Sequence, residues 1–226
     1  HDGNMQTSCP RCQKRSGVEV VTEVNRIIGE SIHEVKSEAR VIAWNWAWPE
    51  DLTADVLDVL PADIEFMCTS ENLMPTDVGG VEGQVWDYTL SQLSPGPRAL
   101  REWEKARRNG LKCVAKVQFN NTWEFSATPY IPVFDQVNDY VEGLVDVAVD
   151  GLMLSWTLGG YPSLNLALAS RAYWEGEGGS ERRLDRSAIE CYGADAAPDV
   201  RRAWRVFSEA FREFPFSVGV AYTAPM

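Results

Sequence analysis

The stretch Leu111-Lys-Cys-Val-Ala-Lys-Val-Gln-Phe-Asn-Asn-Thr-Trp-Glu124 decides how the rest of the chain is read. In an extended strand, alternate side chains take opposite faces. Val114, Lys116, Gln118, Asn120, Thr122 and Glu124 then share one face, while Ala115, Val117, Phe119 and Trp123 fall on the other. A buried strand that turns polar toward its C-terminal end carries groups that need partners or a chemical task. In parallel α/β folds that end of the strand is where active sites are built. Lys116, deeper on the polar face, is expected to pair with a carboxylate, and Glu65 is one candidate.

Three other segments have the same character. Val41-Ile-Ala-Trp-Asn-Trp-Ala-Trp48 is an apolar run stopped by Pro49. Residues 64–71 form a second strand that ends in Thr69-Ser-Glu71, and residues 150–156 form a fourth that ends in Ser155-Trp156. Helical patterns separate them. Ser16 with Glu19 is a capping box ahead of an apolar stripe of Val20, Val21, Val24, Ile27, Ile28, Ile32 and Val35. Residues 51–60 give a short helix. Residues 98–109 give another, with Leu100, Trp103 and Ala106 inward and Gly110 as terminator. Further helices follow Pro132, with Val137, Tyr140, Val141 and Leu144 on one face, and Ser163, over residues 164–173. A short helix at 184–191 and an amphipathic one opened by Pro198 complete the chain.

Strands alternating with helices predict an α/β fold of parallel βα units. We expect four such units over residues 1–175 and a helical C-terminal extension over 176–226. Residues 72–97, rich in Gly, Pro, Ser and Asp, read as a long loop, and long loops in compact domains are commonly functional. This one carries Trp86, Asp87 and Tyr88.

Bulk composition removes several classes of function. A formal net charge of −12, from 33 acidic and 21 basic residues, argues against non-specific nucleic-acid binding, which needs a basic footprint. No apolar run has membrane-spanning length. No Gly-x-Gly-x-x-Gly follows the first strand and no Gly-Lys-Ser/Thr loop occurs, so the common nucleotide sites are not expected. Cys9 and Cys12 have zinc-knuckle spacing, but a tetrahedral site needs two more ligands. A structural zinc there is one reading and a plain loop with two thiols is the other; no other cofactor is expected. Cys68 and Cys113, within strand patterns, are expected to behave as small hydrophobes.

The strand ends bring Trp rings next to carboxylates and amides. That mixture suits a sugar, whose C–H faces pack on aromatic planes while its hydroxyls need hydrogen-bond partners. Nine Trp in 226 residues supply the rings. Trp103 and Trp204 lie within helical patterns and read as packing residues.

Trp44-Asn-Trp-Ala-Trp48, Thr69-Ser-Glu71, the strand closing in Asn120-Asn-Thr-Trp-Glu124, and Leu154-Ser-Trp-Thr-Leu-Gly-Gly-Tyr-Pro162 together resemble the second half of a (β/α)8-barrel glycoside hydrolase. The likeness is to hexosaminidase-like or β-glycosidase-like enzymes and covers about residues 1 to 175. It implies that the four strands are barrel strands five to eight, with Glu124 just after strand seven. In the largest clan of retaining glycosidases that is the nucleophile's place. The partner acid would follow strand four, in a missing N-terminal half of the barrel upstream of His1. The alternative architecture is a small doubly wound sheet.

The expectation is therefore a glycosidase portion acting on a carbohydrate. Glu124 is its candidate nucleophile and Glu71 a second candidate carboxyl. Trp46, Trp86, Asn120, Trp123, Trp156 and Tyr161 are candidate sugar contacts. Two alternatives stand beside it: substrate-assisted hexosaminidase-type hydrolysis, and a carbohydrate-binding barrel without turnover.

Overall fold

The computed structural model describes residues 10, 12–93, 95–120, 130–155, 162–174 and 179–216. It is an α/β structure with a four-stranded sheet in the order β1 (Val41–Trp44), β2 (Ile64–Thr69), β5 (Cys113–Lys116) and β6 (Gly151–Met153). β1 and β2 are parallel, Val41 opposite Ile64 and Trp44 opposite Met67. The remaining pairings advance in the same sense along both strands. Phe66 N–H donates to Lys112 O and Ser70 N–H to Lys116 O; Asp150 N–H donates to Cys113 O, and Val117 N–H to Met153 O. The order follows the sequence without reversal, whereas a doubly wound sheet reverses at a switch point.

The chain divides into two compact units. The first comprises His1–Thr69, Arg98–Ala115 and Val149–Leu152; the second comprises Ser70–Pro97, Lys116–Ala148 and Met153–Met226. In the first, α1 (Gly17–Val35) begins as its sequence predicts: Ser16 Oγ accepts from Glu19 N–H and Glu19 returns a bond to Ser16 N–H. α2 (Glu50–Leu57) carries Glu50 and Asp51 in its first turn, where the helix dipole favours acids. α3 (Pro97–Arg108) buries Trp103 and Ala106 and ends at Gly110, whose φ of +77° is the left-handed conformation that favours glycine. Asn109 Nδ2 donates to Leu57 O at 2.8 Å and ties that end to α2. Phe66, Cys68, Cys113, Val56 and Trp103 belong to the buried core, the two cysteines behaving as expected.

The second unit adds a hairpin, β3 (Pro75–Val78) with β4 (Val81–Gln84), and the helices α4 (Phe134–Val147), α5 (Leu164–Trp174), α6 (Gly179–Tyr192) and α7 (Ala197–Arg212). Phe134, Leu168, Leu184 and Trp204, one from each helix, share a single apolar cluster. Arg201 of α7, 7% exposed, reaches Asp135 of α4 and both Glu181 and Asp185 of α6, each at 3.0 Å.

Several expectations need correction. The strand expected over 41–48 stops at Trp44: Asn45 N–H still bonds Met67 O, but Ala47 takes φ +61° and the run turns away. Residues 72–97 are not all loop, because Gly79 and Gly80 at φ +62° and +76° close the β3–β4 hairpin. The signal was present as Val-Gly-Gly-Val, a two-residue hairpin turn. Leu100 is exposed, since α3 turns Ala99, Glu102, Trp103 and Ala106 inward instead. The helix expected over 184–191 begins earlier, at Gly179. The apolar stripe of α1 is mostly uncovered: Val21 is buried, while Val24, Ile27, Ile28, Ile32 and Val35 are exposed. No described helix is long and apolar enough to cross a membrane.

Candidate functional site

Within the second unit, Ser70, the residue after β2, pairs with Lys116, the last residue of β5. The Ser70 N–H bond to Lys116 O, 3.0 Å long, sets the two strand ends side by side. Ser70 O in turn accepts from Gly96 N–H at 2.8 Å, and a Cβ at residue 96 would stand 3.2 Å from that oxygen. The next residue is Glu71, at 0% exposure.

Hairpin geometry brings the chain back over this carboxyl. Leu73 N–H donates to Val85 O and Val85 N–H to Met74 O, so the segment following β4 returns alongside. Thr89 N–H then donates to Glu71 Oε1 at 3.0 Å, and the Tyr140 hydroxyl of α4 donates to Oε2. Thr89 Oγ1 bonds Ser91 Oγ and accepts Ser91 N–H, which fixes the donor loop. Tyr140 is itself held edge-on against Phe119 at 5.1 Å.

Lys116 is buried beside this group at 0% exposure. Its Nζ donates to Val117 O at 2.8 Å and Gln118 Oε1 at 2.9 Å, and lies 4.5 Å from the centre of the Tyr88 ring, a cation–π distance. Glu65 is not its partner: that carboxylate takes the Arg40 guanidinium, Nε to Oε1 2.7 Å, in the first unit. The charges that act on Lys116 are Glu71 and Asp87.

Burial controls both protonation states. Desolvation pushes the Glu71 carboxyl up to about 8, against the bonds from Tyr140 and Thr89 and the attraction of Lys116. Desolvation also pulls Lys116 down to about 8, against the same Glu71 and Asp87. Burial therefore favours the protonated form of Glu71, with a phenol and an amine alongside. Such a group can deliver a proton to an oxygen it touches or donate a hydrogen bond as a neutral acid.

The other expected site residues are dispersed. Asn120 is fully buried four residues beyond Lys116, after β5 has ended. Trp86 is in the same unit but 59% exposed, its carbonyl accepting from Asn72 Nδ2 at 2.8 Å. Trp46 belongs to the first unit, where its ring lies 6.0 Å from that of Trp44. There Val21, Val24, Asn25, Ile28, Trp44, Trp46 and Trp48 line a cavity of about 360 Å³. Glu124, Trp123, Trp156, Tyr161, Cys9 and the Cys12 side chain lie outside the described residues. Among the described residues no cluster of three or more His, Cys, Asp or Glu could hold a metal ion.

Three participants escaped the sequence reading. Tyr140 was visible only as an inward aromatic of α4, and its hydroxyl gives no periodic signal. Thr89 acts through its backbone, and Gln136 of α4, which donates to Leu90 O, is a polar residue inside a buried helix face. No family model, curated protein or solved structure matches this chain.

Proposed function

We propose that the chain is the second half of a (β/α)8-barrel glycoside hydrolase acting on a carbohydrate. Glu71 is its proton-holding carboxyl and Glu124 its nucleophile. The observation that carries the reading is Glu71 itself, a carboxyl just past the C-terminal end of a parallel strand, fully buried and bonded by Tyr140 and Thr89, where burial favours its protonated form. A retaining glycosidase needs one carboxyl in that state to protonate the leaving oxygen and a second, ionised, to attack the anomeric carbon. Glu124 enters on the resemblance of its strand. The uninterrupted strand order supports the barrel half, as do the apolar face of α1 and the outer edge of β1, which carries exposed Ile42.

The test is hydrolysis of a panel of aryl glycosides by this chain and its Glu71→Gln and Glu124→Gln variants. Loss of general acid catalysis costs about 10²–10⁴-fold, so Glu71→Gln should fall by that much. It should be less impaired on substrates with acidic leaving groups, which need no proton. Glu124→Gln should lose activity that azide restores. If Glu124→Gln loses little and azide does nothing, the substrate's own acetamide is the nucleophile. A second reading, a carbohydrate-binding barrel without turnover, is favoured by the complete enclosure of Glu71 and Lys116. Sugar binding without hydrolysis of any aryl glycoside would establish it.

A further inference from the structure

The first unit holds a cavity of about 360 Å³ that the glycosidase reading does not use, walled by α1 and by the end of β1 with the turn after it. That volume falls within the roughly 300–1,000 Å³ of small-molecule sites. α1 contributes Val21, Val24 and Ile28, which the helical period sets on one face. The other wall is three indoles, Trp44, Trp46 and Trp48. Trp46 is half exposed, with its ring centre 6.0 Å from that of Trp44.

The indole wall is built before any ligand arrives. Ala47, between Trp46 and Trp48, takes φ +61°, a left-handed conformation unfavourable for a residue with a Cβ. Trp48 N–H closes this turn on Asn45 O at 2.9 Å. The Asn45 amide is held by Glu102 Oε2 at 2.8 Å, and the Trp48 carbonyl accepts from Arg98 at 2.9 Å. Arg98 and Glu102 are a buried ion pair, so both ends of the turn are anchored to the core. A wall fixed in this way spares a ligand the cost of ordering it.

The lining also selects the ligand's chemistry. No described residue of the lining is charged, and Asn25, its one amide, spends Nδ2 on Val21 O at 2.9 Å. A sugar's hydroxyls would face valine and isoleucine without hydrogen-bond partners, and an ion would lose its water there without compensation. A flat uncharged ring suffers neither loss. It packs on the indoles with a gain beyond its buried area, and it covers Val24 and Ile28, which otherwise stand exposed. The geometry points to a binding site for a small, uncharged aromatic molecule between α1 and the Trp44–Trp48 turn. This site does not depend on the carbohydrate reading and is tested separately from it.

The experiment is fluorescence titration of the chain with the neutral probe N-phenyl-1-naphthylamine, with indole as competitor. The expected result is saturable one-to-one binding that indole displaces. Affinity should fall about tenfold in Trp46→Ala and in Ile28→Gln. It should be unchanged in Ile27→Gln, an exposed neighbour outside the lining. Ile28 is itself half exposed, so its variant serves if Trp46→Ala does not fold. Absence of saturable binding to the wild type would overturn the site. Equal weakening by Ile27→Gln and Ile28→Gln would also overturn it, because the probe would then be coating the open helix face. Displacement by glucose or tetramethylammonium, and not by indole, would overturn the ligand class. A dimer in sedimentation velocity that Ile28→Gln dissociates would show the cavity closed by a second copy, and would overturn the site as well.

Discussion

Each compact unit buries a glutamate among polar partners, and the two clusters are completed differently. In the first unit Glu102 receives Arg98 Nε at 2.7 Å and Asn45 Nδ2 at 2.8 Å. Arg98 also bonds the Trp48 carbonyl at 2.9 Å and lies 3.4 Å from Thr53 Oγ1. In the second, no guanidinium among the described residues reaches Glu71: its oxygens take a phenol and a backbone N–H, and the Gln118 amide that holds Lys116 keeps its Nε2 without a partner among the described residues. Burial raises both carboxyls, but a permanent positive charge and its hydrogen bonds oppose this directly at Glu102. The first cluster reads as scaffold, pinning α3 to the turn after β1. The second has capacity to spare, which is what a site requires.

The widest separation between the clusters comes from removing each cation. Arg98→Met leaves a carboxylate buried without its ion partner and should cost about 3–5 kcal/mol by denaturant titration. Lys116→Met removes an ammonium whose own burial is unfavourable and should cost about 1 kcal/mol or less. Equal losses would erase the distinction.

A smaller effect separates them by pH. The folded-state pKa of Glu71 is raised from 4.5 to about 8, so its stabilising contribution is full below pH 4.5 and is lost as pH rises toward 8. Lys116 is lowered from 10.5 to about 8, so the folded state sheds its proton before the unfolded state does, and stability rises again from pH 8 to 10.5. Relative to the double variant Glu71→Gln/Lys116→Met, the wild type should therefore show a stability minimum near pH 8. Glu71→Gln alone should flatten the acid-side limb and Lys116→Met the alkaline one.

The smallest effect lies on the exposed face of α1. Ile27 and Ile28 are each 48% exposed, and their replacement by Gln should change stability by no more than about 0.5 kcal/mol. A loss of 2 kcal/mol would mean that this face is packed in solution.

Much of this was legible in the sequence. The Ser16–Glu19 cap, the presence and order of the four strands and Gly110 as a helix stop follow from local chemistry, but the strands expected over 41–48, 64–71, 111–124 and 150–156 end earlier, at Trp44, Thr69, Lys116 and Met153, where the polar residues begin. The periodicity of α1 gave the helix but not its burial, because an apolar stripe says what could be covered and not whether it is. The Glu65 partner was misassigned because period-2 patterning reports a face but not which cation reaches it; Arg40 lies in the turn before β1 and no spacing rule connects the two. The Tyr140–Glu71 contact spans 69 residues and joins a helix to a strand end, a relation that only the folded chain contains.

The central claim is that Glu71 is a neutral acid at physiological pH. It is tested by carbon NMR of the chain labelled at glutamate Cδ, titrated from pH 4 to 10 beside Glu71→Gln. The account predicts one carboxyl resonance that is still protonated at pH 7, titrates near 8 and is missing from the variant. A spectrum in which every glutamate is ionised by pH 6 would contradict it.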